Sequence, residues 1–150
     1  MSLPLPQRLS IFAAAPRPFA SPRANALRVV LVAGTLIAIA LAAALSTPSA
    51  TALADVELAF VLRGMALIKA ALVLLALALV GWRLGRSTPI AVTTAYLAGV
   101  WLMACAAMLV WQLSAIAAAA LVFHVGEITL LLVAWRDRGG NHEKEQQIDH

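Results

Sequence analysis

The chain has little of what a soluble enzyme is built from. Only 12% of its 150 residues are charged, 63% are hydrophobic, and the mean hydropathy is +0.91, far from globular averages. A single cysteine, Cys105, sits inside an apolar run and excludes both a disulfide framework and a four-cysteine metal site. Nucleophilic catalysis has no foothold either, because Ser114 lies between two apolar runs with no base beside it. The excess of 11 Lys and Arg over 7 Asp and Glu could suggest nucleic acid. However, the arginines flank apolar segments and form no single basic face with aromatics between them, so nucleic acid is not expected as a partner. No catalytic residue, metal or resident cofactor is assigned.

What remains is a run of long apolar segments. From Met1 to Ala26, Pro4, Pro6, Pro16, Pro18 and Pro22 alternate with Arg8, Arg17 and Arg23, which predicts an irregular cytoplasmic or interfacial arm over residues 1–26. Spans follow at about 27–45, 58–80, 90–111 and 115–135. Each is long enough, at about 1.5 Å per residue, to cross a hydrocarbon core of about 30 Å. Residues 136–150 read as a polar, mobile cytoplasmic tail. The expected fold is therefore an all-α membrane protein, four transmembrane helices in an up-and-down bundle over 27–135.

Orientation follows from the basic residues near the span ends. Arg8, Arg17, Arg23 and Arg28 precede the first span, Arg83 and Arg86 lie between the second and third, and Arg136, Arg138 and Lys144 follow the fourth. The first loop carries Asp55 and Glu57 and no basic residue, and the third loop is uncharged. With four spans, every basic segment falls on one side, which places both termini in the cytoplasm. Trp82 and Trp135 then mark the inner interface and Trp111 the outer one. The Ala-, Leu- and Arg-rich composition suggests a bacterial inner membrane. Ala52-Leu53-Ala54 resembles a signal-cleavage site, and cleavage there would leave three spans. The long basic region before the first run, and the length of that run, argue instead that it is retained.

Ionisable groups at membrane depth cost roughly 2.5–3.5 kcal/mol each on insertion scales, so each one is a candidate for function. Within the predicted spans they are Arg63, Lys69, His124 and Glu127. Counting along helices places Lys69 and His124 near the bilayer centre, Glu127 about one turn deeper and Arg63 nearer the outer surface. His124 and Glu127, three residues apart, share a face, and Gly126 beside them allows another helix to approach. Lys69 is the expected partner of Glu127, with Tyr96 of the third span at similar depth. The predicted polar cluster is thus Arg63, Lys69, Tyr96, His124 and Glu127. Arg63 and Lys69 lie about 120° apart around their helix and are expected to edge opposite sides of a wedge. Metal is disfavoured, because the His124/Glu127 order reverses the usual di-iron motif and no second helix supplies carboxylates. Bis-histidine haem would need a second histidine within a span, and His142 and His150 both lie in the tail.

Three readings are consistent with this pattern. The first is a non-enzymatic accessory or self-associating subunit of a membrane complex, with short loops and small residues at four-residue spacing (Gly34, Ala38 and Ala42; Ala95 and Gly99; Ala115 and Ala119) favouring helix–helix contact, within the lipid bilayer, with a partner protein or another copy. The alternatives are a small proton-coupled transporter using the Glu127/Lys69/His124 cluster, and a haem- or quinone-linked redox subunit.

Overall fold

The computed structural model describes residues 22–48, 55–86 and 88–146, with the backbone alone for 138–146. Most of the predicted arm, the Ala52-Leu53-Ala54 tripeptide and the histidines of the tail lie outside the described residues and side chains. Among the described residues there are four α-helices: α1 (Pro22–Leu45), α2 (Val56–Arg83), α3 (Ile90–Trp111) and α4 (Ile116–Gln146). Each contains a segment long and apolar enough to cross a membrane. Among the described residues helix is the sole regular structure, and these long apolar helices give the protein the character of a multi-pass integral membrane protein.

The helices reach beyond the apolar runs where local chemistry favours extension. Pro22, which the sequence places in the irregular arm, opens α1, since a first helical residue needs no N–H partner and proline presets its φ. Asp55 caps α2 by accepting the Leu58 N–H at 3.0 Å. Glu57 in the first turn and Arg83 in the last then complement the helix dipole. These two acids, legible in sequence as loop charges, are helix-start residues. α3 keeps the range its apolar run predicts. α4 continues past Trp135 to Gln146, so that much of the polar segment expected to be a tail is helical.

Helix α3 is central. It packs most extensively against α4 and also against α2 and α1, while α1 and α2 touch only slightly and α4 brings its backbone close to α3 alone. Small residues set these approaches. Gly99 and Gly126 face each other across the α3/α4 seam, and Gly34 of α1 leaves room for the Trp101 indole, whose Nε1–H reaches the Leu31 carbonyl at 3.4 Å. Three buried layers run along the bundle: Leu31, Val80, Leu84 and Tyr96 at one end, Val73, Met103 and Phe123 in the middle, and Ala66, Val110 and Ala119 at the other. Large apolar side chains such as Phe60, Leu74, Leu121 and Trp135 point outward, as lipid-facing surfaces do. The α3–α4 turn is tight: Leu113 and Ala115 adopt φ of 56° and 43°, a left-handed conformation that is strained for residues with a Cβ.

Candidate functional site

The α2 stripe that carries the predicted cations splits as its angular spacing requires. Arg63, exposed, holds its guanidinium over the Trp111 ring at 5.9 Å from the centroid. Lys69, half-buried, turns toward α4 and places Nζ 3.9 Å from the centre of the Phe123 ring. An ammonium over an aromatic face gains attraction from the ring quadrupole, and more so where water is absent. Phe123 itself is fully buried and stands edge-on to the His124 ring, 6.0 Å away.

His124 and Glu127 pair with each other. His124 Nδ1 lies 3.2 Å from Glu127 Oε2, a hydrogen bond that becomes an ion pair when the imidazole is protonated. The expected Lys69–Glu127 pair is absent among the described residues. The reason is azimuth: Gly126 turns toward Gly99 and Met103 of α3, so its neighbours on the dyad face look away from the bundle. The two side chains are 61% and 43% exposed, in the middle of an apolar span.

Tyr96 is buried at the far end of the bundle and engages a site that the sequence does not single out. Arg83 at the end of α2 binds Asp137 of α4 in bidentate fashion, Nε to Oδ2 at 2.5 Å and Nη2 to Oδ1 at 2.7 Å. Tyr96 adds a hydrogen bond to the same carboxyl group. Only 19% and 15% of the two ion-paired side chains are exposed, and the fork geometry makes this the strongest polar contact in the described structure. The sequence does carry a usable signal, since Arg83 and Asp137 lie at nearly equal distances beyond the ends of the second and fourth apolar runs. Hydropathy hides it, because Asp137 looks like the start of a tail and Arg83 like a topology charge.

The five predicted site residues thus fall in three places: Arg63 on Trp111, Lys69 on Phe123 beside the His124–Glu127 dyad, and Tyr96 on the Arg83–Asp137 pair. Every buried side-chain polar atom among the described residues has a partner, and no group of three potential metal ligands occurs among them. Compared with family models, curated proteins and solved structures, the chain matches none of them.

Proposed function

We propose that the protein is a non-enzymatic subunit of an intramembrane assembly, joined to a second copy or to another membrane protein through the outward face of α4. The observation that carries this reading is the His124–Glu127 dyad, polar, exposed and about 12 Å from the start of α4. A carboxylate and an imidazole aimed at acyl chains cost free energy that a neighbouring helix offering a polar group removes. Leu121, Val125, Ile128 and Leu132 surround the dyad with exposed apolar surface, the composition of a helix–helix contact in lipid. The reading includes an up-and-down arrangement in a bacterial inner membrane with both termini cytoplasmic. It is supported by the basic residues at Arg83 and Arg86 and by the acidic start of α2.

The test is co-purification of the protein with its neighbours from gentle detergent, using two differently tagged copies to score self-association. A double change of His124→Leu and Glu127→Leu is expected to weaken the stoichiometric association about three- to eighteen-fold, in line with roughly 0.6–1.7 kcal/mol for interhelical polar contacts. Helicity and yield should hold, since the exposed face becomes more apolar. Wild-type protein recovered alone and monomeric, or a double variant that assembles equally well, overturns the reading and turns attention to Glu127 in proton-coupled transport.

A further inference from the structure

Because α1 and α2 barely touch, a groove of about 380 Å³ opens between them, floored by α3. Its walls are apolar: Thr35 is the one hydroxyl residue, and its Oγ1–H is already bound to the Leu31 carbonyl at 2.7 Å. On α2 the groove is lined by Ala66, Leu67, Ala70, Val73, Leu74 and Leu77, whose three- and four-residue spacings put them on one helix face. Arg63 belongs to that same stripe, one turn before Ala66. Its guanidinium lies over Trp111, which also lines the groove. The cation therefore stands at one end of an apolar trough, and no carboxylate pairs with it among the described residues.

We propose that this groove binds one anionic phospholipid, its phosphate on Arg63 beside Trp111 and one acyl chain lying along α2 toward Leu77. The dimensions agree. From Ala66 to Leu77 the helix rises about 16 Å, close to the roughly 15 Å depth of one leaflet of hydrocarbon. The positions agree as well. Trp111 ends α3, and Arg63 is little more than two turns from the α2 cap, so a long guanidinium side chain extends toward the headgroup level. Charge selects the occupant: in a zwitterionic headgroup the choline ammonium already offsets the phosphodiester, whereas the phosphodiester of a glycerol headgroup carries a net negative charge that Arg63 can balance. None of the lining residues belongs to α4, so the site is independent of the α4 contact proposed above.

The experiment is native mass spectrometry of the full-length protein in detergent, titrated with dioleoyl phosphatidylglycerol or dioleoyl phosphatidylcholine. A single phosphatidylglycerol adduct is expected, held about five- to tenfold more tightly than phosphatidylcholine. Arg63→Gln should abolish that preference and Lys69→Gln, the other cation of the same helix, should leave it intact. Ala70→Leu, which fills the trough while keeping Arg63, should remove the adduct, so a variant that fails to fold does not end the test. Equal binding of the two lipids, or a preference that survives Arg63→Gln, overturns the proposal. So does displacement of the lipid by glycerol phosphate alone, which would make the site one for a free anion.

Discussion

At Gly126 a Cβ would stand 2.7 Å from the Gly99 carbonyl oxygen and 2.8 Å from Met103 Cγ. A backbone oxygen on a packed helix cannot swing aside as a side-chain tip can, so any side chain here separates α3 from α4. Gly126→Leu is expected to destabilise the protein by about 1–3 kcal/mol, measured as a lower midpoint of thermal unfolding in detergent by circular dichroism. Gly64 supplies the control, because nothing lies within 4 Å of its added Cβ. Gly64→Ala should be neutral or stabilising by up to about 1 kcal/mol. The sequence marks Gly126 as a point of close approach. Which helix comes close depends on the rotation of α4, and spacing alone does not supply that.

The Arg83–Asp137 pair acts between elements. The backbones of α2 and α4 do not approach each other, and this fork, like Lys69 on Phe123, is a side-chain contact that bridges the gap. A double-mutant cycle with Arg83→Gln and Asp137→Asn, read by denaturation in detergent, is expected to give a coupling of about 1–3 kcal/mol. Each single change should cost more than half of the double change, since each leaves a largely buried charge without its partner. A coupling near zero would mean that the fork contributes nothing to holding the helices. The existence of all four helices is legible in sequence because lipid imposes a length that apolar runs must meet. Their ends are less legible, because capping by Asp55 and the proline start at Pro22 depend on local hydrogen bonding and not on hydropathy. Lys69 illustrates the same limit for the site. Counting rises along a helix places it at the right height, but the choice between Phe123 and Glu127 is one of direction around the helix axis.

Across the whole molecule the distribution of charge sets an expectation for its placement in the bilayer. In a Cys105→Ala background, Ser46→Cys should react with a membrane-impermeant maleimide added to intact cells, and Arg86→Cys only after the membrane is opened. The reverse pattern would invert the protein, and labelling of both from outside would remove a span. The described fold contains little surface that is not either helix face or short turn. On the readings proposed above, recognition of another molecule takes place along α4 and in the α1/α2 groove, and composition indicates a lipid environment without naming a partner.

The central position of α3 also bears on how the chain comes off the ribosome. Helix α3 is the most buried of the four spans. Protein neighbours cover α3 more than any other span, so its final packing depends on α4, its most extensive partner, which is the next segment synthesised. The tight turn through Leu113 and Ala115 keeps that wait to a few residues of translation, and the two helices are suited to enter the membrane as a single hairpin.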